Sequence, residues 1–367
     1  MVNSPFPPST ATPGDGRIVA ALTPNGEPGL AVVSYQYPLK LIAPQTGAGV
    51  GTLGGGEQDD ATRRKSALVF LLSYGGGLVA GDQVNLTIDV HRGARLSLVT
   101  QGTTKVFKAT GDGREAPVKV PTRQNLIMTV APGAGLCLLP DPVQPFAESL
   151  YEQVQVVRLD EKDSIAAPSL CLLDWVTQGR AANGENWSFT SWKGRNEVWI
   201  ETGGGGDGDI PPRKRLLVRD AVMLAPGYLD NAFFNETVLR DSLQGLAVFG
   251  TLILRGPMVD ALGQFFMSEF DGLPRLGGRD FRDKKETNPP LSITTDMMLS
   301  LEAWRTERLR LELMHGVLWS AAAVRGCVVV KFGARSIEGG RLWIGAMLQR
   351  EGSVAAAFGD EALMCVR

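Results

Sequence analysis

The sequence predicts a mostly β protein: stacked, predominantly antiparallel sheets with a few short helices toward the C-terminal half. Three observations point there. Short runs with period-two alternation recur along the chain. They succeed one another for roughly 250 residues with no helix-length amphipathic segment between them, a pattern unlike alternating βαβ units. Helix signals appear only late.

The elements follow in order. ALVFLLSY (67–74) is an apolar strand ending at a glycine-rich loop, GGLVAGDQ (76–83). In VNLTIDV (84–90), Val84, Leu86, Ile88 and Val90 face one way and Asn85, Thr87 and Asp89 the other, as in a half-buried strand. HRGA (91–94) is a turn and RLSLVTQG (95–102) starts the next strand, so a hairpin is expected. Further strands are expected at 104–109, 125–130, 135–140, 152–159, 196–202, 215–224 and 247–256. GPMVDALGQFFMSEF (256–270) carries Pro257 in a first-turn position and gathers Met258, Leu262, Phe265 and Phe266 on one face. Residues 294–314 and 340–352 are the other helix candidates. No internal repeat of fixed period is visible.

The chain of 367 residues is organised as a disordered lead-in over 1–16 and one β-rich unit over 17–367. Surface insertions rich in glycine and charge are expected near 46–65, 202–215 and 279–293. The lead-in has neither the basic region nor the apolar segment of a signal peptide. The apolar runs are too short and interrupted to span a membrane. A net charge of −2 provides no field for nucleic acid or an anionic membrane. Cys137, Cys171, Cys327 and Cys365 form no C-x-x-C pair and read as buried thiols of a reducing, cytoplasmic compartment.

The glycine loop has the spacing of a phosphate-binding loop but not its chemistry. Asp82 and Gln83 stand where Lys and Ser/Thr are needed, and a strand follows where a helix N-terminus is required. Gly75, Gly76, Gly77 and Gly81 then read as a structural turn, with Asp82 either its cap or a functional carboxylate. Two histidines, His91 and His315, are too few for a histidine metal site, and no Ser/His/Asp arrangement is present. Other polar candidates lie at Thr103, Thr104 and Lys105 beyond a strand, and at Asp141 between prolines. Asp174, Arg180 and Glu185 flank a glycine-bearing turn. An ordinary turn, or an Arg180–Glu185 surface pair worth less than ~1 kcal/mol, explains each as well.

Together these stretches resemble the urease accessory protein D family, called H in some bacteria. Ser73, Gly75 to Leu78, Gly81, Asp82, Thr100, Thr104, Lys105, Val106 and Phe107 fit its signature region. LPDPVQPF (139–146) resembles the next block, and Arg180, Gly184, Glu185, Trp187 and Phe189 fit a third. The likeness runs from about residue 28 to 255 and more weakly beyond. The insertions and the charged segment 279–314 depart from it. The resemblance implies a non-enzymatic, β-rich scaffold that binds urease apoprotein and accessory proteins F and G, the latter a GTPase. No cofactor is tightly bound, and nickel(II) passes transiently through the core. It places Asp82, Asp141 and Glu185 as transient ligands, in that order, with Thr103, Thr104, Lys105 and Arg180 lining or orienting. The helices at 256–270 and 340–352 would offer apolar faces to protein F, or belong to the core. The competing class is a β-rich hydrolase or nucleotide-binding enzyme using the Gly75–Asp82 loop.

Overall fold

The chain winds back and forth between two sheets. The computed structural model describes residues 12–44, 65–109, 120–162, 166–203, 213–225, 239–273 and 295–367. The expected insertion at 279–293, nearly all of that at 46–65, the middle of that at 202–215 and the lead-in through residue 11 lie outside these. The first strand takes in Asp15 and Gly16, the last two residues assigned to the lead-in.

The strands are β1 (Asp15–Leu22), β2 (Pro28–Tyr35), β3 (Leu39–Ile42), β4 (Ala67–Ser73), β5 (Gly77–Leu78) and β6 (Gln83–Val90). Then come β7 (Arg95–Val99), β8 (Thr104–Val106), β9 (Thr122–Val130), β10 (Gly135–Leu138), β11 (Val143–Pro145) and β12 (Leu150–Asp160). The last are β13 (Ser169–Thr177), β14 (Ser191–Thr202), β15 (Arg213–Leu224), β16 (Val248–Arg255), β17 (Leu318–Val324) and β18 (Cys327–Ala334). The helices are α1 (Leu239–Ser242), α2 (Asp260–Asp271), α3 (Thr295–His315), α4 (Ile337–Glu351) and α5 (Ser353–Phe358).

The first sheet has the order β15-β14-β12-β9-β6-β1-β2, and the second β17-β18-β16-β13-β10-β7-β4-β3. Their centres are parallel: β6, β9, β12 and β14 in one, β4, β7, β10 and β13 in the other. Antiparallel pairs sit at the flanks. The sheets are therefore mixed, and the antiparallel expectation holds only outside the centre. In particular, β6 and β7 do not form a hairpin. The turn at 91–94 carries the chain from one sheet to the other, and β6 pairs with β1 and β9 instead.

Successive coils explain the parallel pairing without crossover helices. Each coil runs through the second sheet, a short corner strand and the first sheet: β4-β5-β6, β7-β8-β9, β10-β11-β12. The next coil re-enters each sheet in the same direction, so the opposite sheet is itself the crossover. The coils begin at residues 67, 95 and 135, an uneven spacing that leaves no fixed period in the sequence.

One core lies between the sheets, where Leu86, Ile88, Leu126 and Met128 meet Leu136, Leu138, Leu170 and Leu172. A second lies on the outer face of the second sheet. There Cys137, Cys171, Leu173 and Trp175 meet Leu262 and Phe266 of α2 and Trp343, Ile344 and Met347 of α4. Covered on both faces, β13 is buried at every position. The apolar faces of α2 and α4 are thus core, not free docking faces. The helix after Gly256 starts at Asp260, so Pro257 sits in the turn before it. Ser336 caps α4 by accepting the Gly339 N–H at 2.9 Å. All four cysteines are free and buried.

Candidate functional site

The corner strands bring the distant sequence blocks together. Gly77 and Leu78 lie opposite Lys105 and Val106, and Thr104, Lys105 and Val106 lie opposite Val143, Gln144 and Pro145. Val143 reaches Val176 on β13. Gly75 and Gly76 have φ of 69° and 75°, left-handed backbone that glycine adopts without steric penalty. Gly77 is required for space, because a Cβ there would lie 2.6 Å from Phe107 Cε2 and 2.8 Å from the Lys105 carbonyl oxygen. The loop then opens onto β6 and not onto a helix, so it lacks the strand–loop–helix geometry of a phosphate loop.

The carboxylates expected at the site have different surroundings. Asp82 is half-buried, and its Oδ2 accepts the Val79 N–H at 2.8 Å, which makes it the cap of its own turn. Burial pushes its carboxyl up, and the Val79 bond pulls it back. Glu185 is filled by donors: Arg180 Nε at 2.9 Å and Arg180 Nη2 on Oε1, and the Ala147 and Arg180 N–H groups at 3.2 Å each on Oε2. The Arg180 guanidinium, which stacks 3.9 Å from the Phe146 ring centre, holds the Glu185 carboxyl below its usual range. This pair fastens the turn after β13. Lys105 is exposed, and Thr103 Oγ1 donates to Gln144 Oε1 at 3.3 Å. Asp141 is buried at 5% exposure. It accepts Thr100 Oγ1 at 3.0 Å and the Gly102 N–H at 2.9 Å on Oδ2, and Arg341 Nη2 at 2.8 Å on Oδ1.

Two cavities adjoin at this corner. A surface cleft of about 250 Å³ is walled by Lys40, Tyr74–Gly76 and residues 100–104. Beneath it, between the sheets, lies a cavity of about 30 Å³. Leu71, Thr100 and Thr104 line both. Asp141, Gln153, Gln155 and Asp174 contribute polar groups to the inner one. Asp82, Lys105, Arg180 and Glu185 line neither.

Beyond the cavity the sheets face each other with polar rows. Register sets Gln155, Asn196 and Asp220 side by side on β12, β14 and β15. Opposite them stand Asp174, Thr251 and Lys331 on β13, β16 and β18. Asp174 accepts Gln153 Nε2 and Asn196 Nδ2, both at 2.8 Å, and Lys331 Nζ lies 2.5 Å from Asp220 Oδ1. Burial pushes the Asp174 carboxyl up, and the two amides pull it back. Gln155 Oε1 and Asn196 Oδ1 are buried and accept no hydrogen bond. Such orphaned acceptors call for a role.

Sequence reasoning placed Asp174 at a turn, whereas it sits mid-strand, facing the first sheet. It passed over Gln153, Gln155, Asn196, Asp220, Lys331 and Arg341. One signal was present: Gln153 and Gln155 alternate in phase with Val157 and Leu159, so two amides lie on the buried face of an otherwise apolar strand. Among the described residues no group of three or more His, Cys, Asp or Glu is poised to hold a metal ion, and no helix is long and apolar enough to cross a membrane.

Comparison with known proteins agrees with the corner motifs. Residues 14–365 match the UreD urease accessory protein family. Urease accessory protein 4 of Cryptococcus neoformans is 28% identical over 363 residues, covering 95% of this chain and 93% of its own. A urease accessory protein UreD from Anaeromyxobacter is 30% identical over 258 residues, 70% of each chain. Urease accessory protein D of Oryza sativa is 34% identical over 222 residues, 60% of this chain and 58% of its own. With nearly its whole length matched, the chain belongs to the UreD family of urease accessory proteins.

Proposed function

We propose that the chain is a non-catalytic scaffold in urease maturation that conducts nickel(II) through its β-core toward the urease active site. Urease apoprotein and accessory proteins F and G are its partners in this reading, and the cytoplasm its compartment. Nickel is cargo here, not a resident cofactor. The observation that carries the reading is the run of cleft, cavity and facing polar rows, with Gln155 Oε1 unpartnered beside the buried Asp174.

The chemistry suits passage more than storage. Nickel(II) takes oxygen and nitrogen ligands. At about 10–15 Å³ per water, a cavity of about 30 Å³ has room for two or three waters and not for six, so a passing ion exchanges waters for protein oxygens. The Thr100 and Thr104 hydroxyls, Gln155 Oε1 and the Asp174 carboxylate supply them in turn. Amide and hydroxyl ligands bind weakly, and a single carboxylate does not trap the ion. Asp141 and Asp174 face this path, while Asp82 and Glu185 hold turns.

The test is urease nickel content in cells carrying Asp174→Asn or Gln155→Leu in place of the wild-type chain. The expected outcome is urease protein at normal abundance with nickel and activity reduced at least tenfold, while the variant chain stays folded and abundant. Fully loaded urease in both variants would sink the passage.

A further inference from the structure

The acidic groups along the proposed path are not treated alike. Asp174, in the middle, is met by two amides. Asp220, at the far end, is paired with Lys331. Asp141, under the cleft, is paired with Arg341, 200 residues away in the chain. The Thr100 hydroxyl and the Gly102 N–H pin Oδ2 of Asp141, so its orientation is fixed from within the corner. Oδ1 is left to Arg341. That guanidinium comes from α4, in the helical layer on the outer face of the second sheet. Arg341 Nε is buried without an acceptor, so its hold on the corner is incomplete. The residue itself keeps 27% of its side-chain surface exposed.

We propose that Arg341 is a positioning residue that sets how long a divalent cation stays at the path's entrance, by competing with the ion for Asp141 Oδ1. This rests on the passage reading above. A carboxylate that keeps one oxygen on backbone and hydroxyl donors and offers the other to a cation would be a strong, slow-releasing ligand if left bare. The guanidinium neutralises it in place, 2.8 Å from Oδ1. The ion then sees a weak site and moves on. Because α4 carries Arg341, a displacement of that helix would change retention at the entrance without touching the path itself.

The experiment is equilibrium dialysis of nickel(II) against the purified full chain, at fixed pH and ionic strength. Wild type is compared with Arg341→Gln, Arg341→Lys and the double variant Arg341→Gln/Asp141→Asn. The glutamine variant is expected to bind nickel about tenfold more tightly, a shift of about 1.4 kcal/mol. The lysine variant should match wild type, because charge and not shape is the agent. The double variant should lose the gain. Unchanged affinity in Arg341→Gln, or a gain that survives in the double variant, overturns the proposal. Should Arg341→Gln fail to fold, Arg341→Met keeps the aliphatic stem and serves the same comparison. The two readings fail separately: if Asp174→Asn blocks nickel loading but Arg341→Gln leaves affinity unchanged, only the role of Arg341 falls. If Asp174→Asn and Gln155→Leu both load urease normally, the passage falls.

Discussion

Replacing Glu185 by alanine tests whether the corner turn depends on one carboxylate. Four donors converge on it, two from the Arg180 side chain and two from the main chain at Ala147 and Arg180. The Glu185 side chain is 10% exposed and that of Arg180 40%. Water replaces the lost partner of the guanidinium, so that contact is left out of the sum. The two main-chain N–H groups are part-buried and lose their acceptor, at about 1–1.5 kcal/mol each. Glu185→Ala is therefore expected to cost about 2–3 kcal/mol, well above the ceiling of ~1 kcal/mol for an exposed pair. Urea unfolding followed by tryptophan fluorescence measures this, with the midpoint falling and the slope unchanged. The pH dependence has a definite sign. Arg180 lowers the folded-state Glu185 carboxyl below its ordinary 4.5, so the contribution is present above about pH 4.5 and disappears as pH falls through the folded value. A loss under 0.5 kcal/mol at pH 7 would refute the reasoning, since both main-chain donors would then be satisfied without the carboxylate.

Asp174 has the opposite linkage. Its folded-state carboxyl is raised above the ordinary 3.8 by burial, so its stabilisation is complete below that value and is lost as pH rises through the folded one. The stability of Asp174→Asn relative to wild type should therefore rise with pH above 3.8, and urea midpoints that move in parallel would contradict this. Gly77→Ala should destabilise by about 1–3 kcal/mol, because its Cβ would press on Phe107 and the Lys105 carbonyl; an unchanged melting temperature would exclude the clash. Glu312 Oε1 accepts Arg308 Nη1 at 2.6 Å and the indole N–H groups of Trp319 and Trp343 at 2.9 Å each. Glu312→Leu leaves the two indole N–H groups without this acceptor, while the buried Arg308 keeps Glu269; the change should cost about 2–4 kcal/mol, with faster hydrogen exchange in the last turns of α3, and equal exchange would show that the network does not hold that helix.

The strands and the three corner blocks were legible in the sequence because both are local. Period-two alternation follows from the pleat, so Val84, Leu86, Ile88 and Val90 announce a buried face whatever lies opposite. The lack of a Lys after the glycine loop likewise excluded a phosphate site without coordinates. Alternation does not state which strand lies alongside, however. Whether the turn at 91–94 folds β7 back on β6 or carries it to the other sheet is decided by which pairing closes both cores, and here the crossing wins. The inner polar rows are further from reach. Asp174 meets Asn196 across the sheets, Asp220 meets Lys331, and Asp141 meets Arg341, over separations of 22, 111 and 200 residues. The sequence by itself determined the β class, the glycine turn and the family. Only the tertiary structure decided the parallel coiling and the polar residues buried between the sheets, because burial of a charge or an amide is a property of what packs over it and not of its neighbours in the chain.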